Sequence, residues 1–132
     1  MKTMKRLALR AVLAAALLPT MLPQLAQAEE AKTKQYLYVL RVAPHLQDEA
    51  KWSDADKAAT GRHFKRLQDD LAKGRIILAG RTSEPLDKTF GLVVFEAPDD
   101  AAAKAYMDAD PAVQAGVMTA TLHPYAVALM RK

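Results

Sequence analysis

An α+β domain with its elements in the order β-α-β-β-α-β is predicted for residues 36–132, and three observations predict it. Short runs rich in aromatic and β-branched residues recur from Tyr36, Arg75, Phe90 and Val117. Two of the intervening stretches carry helix-start signals followed by apolar residues at helical spacing. The second and third runs are joined by Ser83-Glu84-Pro85-Leu86-Asp87-Lys88-Thr89, a Pro- and Asp-containing turn of the kind that closes a hairpin.

Each element has a physical reason. Tyr36 to Val42 (YLYVLRV) suits a pleated, buried surface, and Pro44 stops it, so the first strand is predicted there. Ser53-Asp54-Ala55-Asp56 resembles a capping box with Asp in the place of the usual Glu. Phe64, Leu67 and Leu71 then repeat at helical spacing as candidate core positions, until Gly74 offers a left-handed cap. Gly61 is an internal weak point worth about 1 kcal/mol relative to Ala, which places the firm start of this helix near Gly61. The second and third strands are predicted over Arg75–Thr82 and Phe90–Ala97. Pro98-Asp99-Asp100 opens a second helix from Ala101 to about Ala109, with Ala102, Ala105 and Tyr106 as inward positions. Asp110-Pro111 starts a short turn, and a last strand, interrupted by Pro124, is predicted from Val117 to Met130. This order is the split arrangement of a ferredoxin-like fold.

Ahead of the domain stands a different kind of segment. Lys2, Lys5, Arg6 and Arg10 precede the apolar run Ala11–Leu18, and Ala26-Gln27-Ala28 supplies the small residues of a cleavage site. Residues 1–28 are therefore expected to be a secretory signal peptide cut after Ala28, followed by a polar leader over residues 29–35. A membrane anchor is the competing reading, but spanning a bilayer takes about 20 apolar residues and Arg10 and Pro19 bracket far fewer. The expected destination is secreted or periplasmic, with no stable membrane anchor. The four basic residues of the expected signal peptide account for the whole excess of 19 basic over 15 acidic residues, so the mature domain is formally neutral. Its electrostatics give no reason to expect a nucleic-acid partner. The chain has no cysteine, which excludes a disulfide framework.

The strands are apolar at successive positions, as in Ile76-Ile77-Leu78-Ala79 and Leu92-Val93-Val94-Phe95, so both faces of the sheet need cover. Two helices cover one face. The other is expected to meet a second copy, giving a face-to-face homodimer whose paired sheets enclose a pocket for a small organic ligand.

Four segments carry a resemblance. Gly61-Arg62-His63-Phe64, the run Gly74 to Thr82 (GRIILAGRT), the run Phe90 to Ala97 (FGLVVFEA) and the run Asp108 to Val117 (DADPAVQAGV) occur in this order. Together they resemble the YCII-related (YciI-like) domain family over nearly the whole mature chain. The resemblance implies a dimeric α+β barrel of ferredoxin-like protomers, related in shape to muconolactone isomerases and cofactor-free monooxygenases. It implies an active-site pair as well, the His of the first helix and the Asp of the Asp-Pro step, here His63 and Asp110. One branch of the family dehydrochlorinates an aromatic ring. Where many members have Ala-Gly-Pro after the second strand, this chain has Ala79-Gly80-Arg81, which puts Arg81 at an expected pocket rim.

The residues themselves leave two readings for each candidate. His63, one position before Phe64, lies about 100° from it around the helix, at the edge of the expected buried face. It either looks into a cavity as a general acid or base, or is a half-exposed polar side chain. Asp110 either supports His63 or serves only as the N-cap that an Asp-Pro step favours. Arg81 and His123 are candidate substrate contacts, Arg81 for an anionic group and His123 from the last strand. Arg41 either contacts an anionic substrate group, or pairs with an acid or faces solvent. Neither His45 nor His123 forms a short-spaced ligand pair, so no metal site is expected. No glycine cluster has phosphate-binding spacing, so no nucleotide cofactor is expected. The function expected from these readings is cofactor-independent proton transfer by His63 and Asp110 on a small organic molecule, by elimination, isomerisation or hydrolysis. The alternative is a non-catalytic, exported ligand-binding dimer.

Overall fold

The computed structural model describes residues 15–16 and 32–132. Apart from residues 15–16, the expected signal peptide and its cleavage site lie outside the described residues, as do residues 29–31 of the polar leader. The chain forms β1 (Lys34–Val42), α1 (Asp54–Ala72), β2 (Ile76–Arg81), β3 (Phe90–Ala97), α2 (Asp100–Asp108), the short α3 (Pro111–Gln114) and β4 (Met118–Tyr125). The four strands make one antiparallel sheet in the order β2-β3-β1-β4, with α1 and α2 on one face, a ferredoxin-like α+β fold. Among the described residues no helix is long and apolar enough to cross a membrane.

Alternation decides what each strand buries. On β1, Tyr36, Tyr38, Leu40 and Val42 are buried, and on β3 their ladder partners include Phe95 and Val93. These positions face the helices. Tyr38, Phe95 and Tyr106 pack edge-to-face or tilted, with ring centroids 4.8–6.2 Å apart. The guanidinium groups of Arg66 and Arg75 lie 4.0 and 3.8 Å from the Tyr106 ring centroid and close this aromatic core from the side. The sheet's other face carries Leu37, Val39, Leu92 and Val94 in register, with Leu78 beside Val94 and 58% exposed.

Several expectations are revised. α1 starts at Asp54, well before Gly61, because both halves of the capping box form. The Asp56 N–H donates to Ser53 Oγ at 3.1 Å, and the Ser53 N–H donates to Asp56 Oδ2 at 2.9 Å. That anchor carries the helix through Gly61 to its end before Gly74, which takes the left-handed φ of 78°. Phe64 and Leu71 are not core residues; they are 61% and 55% exposed, and the buried stripe of α1 is Ala59, His63 and Leu67. On α2 the buried residues are Ala103, Tyr106 and Met107, and Ala105 faces outward. β4 ends at Tyr125, which pairs with Gln35 one residue from the start of β1. Pro124 does not interrupt it. As an edge strand β4 tolerates a residue without an N–H, and Pro124 sits opposite Tyr36.

Candidate functional site

α1 packs on α3 and the sheet with Ala59, His63 and Leu67 inward, which turns His63 towards the start of α3. The imidazole is about nine-tenths buried, its side chain 11% exposed. Across from it, the Asp-Pro step starts α3, with Asp110 as N-cap and its Oδ1 accepting from the Ala112 N–H at 2.9 Å. The same carboxylate, 0% exposed, sits 2.7 and 2.9 Å from His63 Nδ1 through its two oxygens. Asp110 therefore caps α3 and holds His63 at once, which resolves the two readings of this residue into one arrangement.

A third donor completes the cluster. Tyr38 Oη donates to Asp110 Oδ2 at 2.9 Å from the middle of β1. The alternation of β1 marks Tyr38 as inward, but nothing in the sequence identifies a partner for its hydroxyl. The carboxylate thus accepts from a ring nitrogen, a phenol and a backbone amide. Burial works to raise the Asp110 pKa, but the hydrogen bond and charge of His63, then the Ala112 N–H and the Tyr38 O–H, outweigh it and hold the carboxyl below its usual range. Burial, and then the Asp110 charge, push the Tyr38 phenol far up, so it stays a donor. An ionised carboxylate can only accept, so Nδ1 carries the proton and Nε2 is the basic nitrogen.

His63 lines a cavity of about 730 Å³ that lies between α1 and the helix-facing side of the sheet. This explains the exposure of Phe64 and Leu71, since Thr60, His63, Phe64, Leu67, Gln68 and Leu71 form one helical stripe along its wall. Leu40, Ile76, Gly91 and Val93 line it from the sheet. The cavity lies on the helix side of a single protomer, whereas a pocket between paired sheets was expected. Arg81, at the end of β2, lines the same cavity. His123 does not. It pairs with Leu37 while its neighbour Leu122 pairs with Tyr38, which puts His123 on the face turned away from His63. Arg41 also belongs to that face, where it lies over the Phe90 ring at 5.3 Å rather than pairing with an acid. His45 is exposed in a turn after β1. Among the described residues no three His, Cys, Asp or Glu side chains are grouped to hold a metal.

The model of one protein family, the YCII-related domain, matches residues 36–122. The match takes in His63, Arg81 and Asp110 and ends one residue short of His123. No curated protein matches the chain.

Proposed function

The chain belongs to the YCII-related domain family, and on that footing we propose that it is a cofactor-independent enzyme in which His63 moves a proton and Asp110 orients it. One observation carries the proposal: a cavity-lining imidazole whose Nδ1 is held by a buried carboxylate, leaving Nε2 as the basic nitrogen on the cavity side. Nε2 takes a proton from a carbon of a small organic molecule. The electron pair left behind then either expels a leaving group from the neighbouring atom, an elimination, or is reprotonated elsewhere by the same imidazolium, an isomerisation. Asp110 supports the imidazolium as it forms, and such positioned proton transfer contributes typically about 10²–10⁴-fold.

Two further parts belong to this proposal. The apolar ladder of Leu37, Val39, Leu92 and Val94 supports pairing with a second copy through the open face of the sheet. The basic start, apolar run and Ala26-Gln27-Ala28 support export with cleavage near Ala28. The largely apolar cavity lining also favours a second reading, a binding module that holds its ligand without turnover.

The test is proton exchange. A panel of small cyclic carbon acids is incubated with the protein in deuterium oxide, and loss of C–H signal is followed by NMR. The expected result is exchange with at least one compound that disappears in His63→Gln. Exchange that persists in His63→Gln removes the proposed role. Tight binding of panel members without exchange favours the binding module. Light scattering on wild type and Val39→Lys tests the pairing, with a dimer expected for the first and a monomer for the second.

A further inference from the structure

We infer that the cavity beside His63 takes a monocarboxylate with an alicyclic or aromatic body, held by its negative charge at Arg81. The inference rests on the proposed reading only in sharing that cavity. No Asp, Glu or Lys lines the space, and Arg81 is the one permanently charged residue that does. Asp110 stands behind His63, outside the lining, with its charge taken up by three donors. The remaining surface is dominated by Leu40, Leu67, Ile76, Leu86, Val93 and Met118, which suits a body without polar groups.

Among the described residues the Arg81 side chain makes no hydrogen bond, ion pair or ring contact, whereas three other arginines do. Arg41 lies over Phe90, while Arg66 and Arg75 flank Tyr106. Among the described residues no carboxylate lies within ion-pair distance of Arg81. Its outer side borders a smaller cleft of about 480 Å³ that also holds Lys57 and Glu49, so cations outnumber acids there as well. A guanidinium at the edge of an apolar chamber presents a planar fork that matches a carboxylate through two parallel hydrogen bonds. One such cation selects one negative charge. The carboxylate then anchors at the end of β2, and the ring body extends over the apolar floor towards His63.

Trp52 makes the test direct, because it is the chain's single tryptophan and lines the same cavity. Its fluorescence is titrated with 1-adamantanecarboxylate and with the neutral 1-adamantanemethanol, neither of which absorbs in its range. Wild type is expected to bind the carboxylate about tenfold or more tightly than the alcohol, the scale of one charge-assisted contact. Arg81→Gln is expected to bring the two affinities level while leaving that for the alcohol unchanged, and Arg81→Lys to restore part of the difference. Equal affinities in wild type, a preference that survives Arg81→Gln, or no saturable change with either probe overturns the inference. Carboxylate preference without any deuterium exchange upholds the ligand class while removing the catalytic reading. Exchange with neutral carbon acids and no carboxylate preference does the reverse.

Discussion

Replacing Asp110 with Asn separates the cap from the charge. Asn is as good an N-cap as Asp, so its oxygen keeps the bond from the Ala112 N–H. Its amide nitrogen then falls where Oδ2 was, facing His63 Nδ1 and Tyr38 Oη. An amide donates there instead of accepting. The least costly response is for His63 to release its Nδ1 proton, accept from the amide and carry its proton on Nε2. That reverses the nitrogen turned to the cavity from acceptor to donor. The equivalent tautomer reversal in the serine-protease triad lowers turnover by about 10⁴, and a loss of about 10³–10⁴ is expected here for any reaction that uses Nε2 as base. The stability cost is smaller. Bonds to a charged acceptor are worth about 1.5–3 kcal/mol and neutral ones about 1, but the buried charge and its desolvation cost also disappear. A net loss of about 1–2 kcal/mol follows, or roughly 5–15 °C in Tm for a domain of this size. Asp110→Ala leaves three groups unpaired and is expected to cost about 3–5 kcal/mol. Long-range ¹H–¹⁵N spectra at alkaline pH, where imidazoles are neutral, read the tautomer without a substrate. The Nδ1–H form in both wild type and Asp110→Asn refutes the reasoning, as does a Tm loss in Asp110→Asn equal to that in Asp110→Ala.

Three further outcomes are expected. Because the Asp110 pKa is lowered on folding, the stability it adds is whole above the unfolded carboxyl value of about 3.9 and is lost as pH falls through the folded value. Wild-type Tm should therefore drop more steeply than that of Asp110→Asn between about pH 5 and pH 3, and parallel curves would contradict this. Tyr38→Phe keeps the ring against Phe95 but removes a donor to a charged acceptor, so it should cost about 1.5–3 kcal/mol in urea unfolding. The Asp110 carboxyl should then titrate at higher pH by ¹³C NMR; an unmoved titration would show that the Tyr38 bond is unimportant to the charge. Ser53→Ala should cost about 1 kcal/mol through the lost capping box while leaving the His63 tautomer unchanged.

What could be read in the sequence, and what could not, divides along physical lines. Strand positions follow from alternation and β-propensity, and the end of α1 from Gly74; its start follows from the capping box at Ser53 and Asp56, which outweighs the local cost of Gly61 that points to a later start. The rotation of α1 escaped. Phe64 and Leu71 have the spacing of core residues, yet the space opposite them holds a cavity, and hydrophobic periodicity marks a face without saying what fills the volume beyond it. His63 was accordingly expected at the edge of the buried stripe and lies within it. The inward register of α2 was illegible for another reason: Ala101, Ala102, Ala103 and Ala105 have identical side chains, so only tertiary packing chooses Ala103. His63 and Asp110 were singled out from the sequence through a family resemblance. Their contact, and the joining of Tyr38 to them, required the fold, because the partners are 47 and 72 residues apart.

Those separations have a consequence for when the site comes into being. Tyr38, His63 and Asp110 are delivered by β1, α1 and the start of α3, so the carboxylate finds its three donors only after long loops have closed and the sheet has formed. Contacts of such sequence separation form late, since their closure entropy must be met before they contribute. A nascent or partly folded chain holds an ordinary solvated histidine and an ordinary solvated aspartate. The contact between His63 and Asp110 is thus a marker of completed folding, absent until the whole domain is assembled.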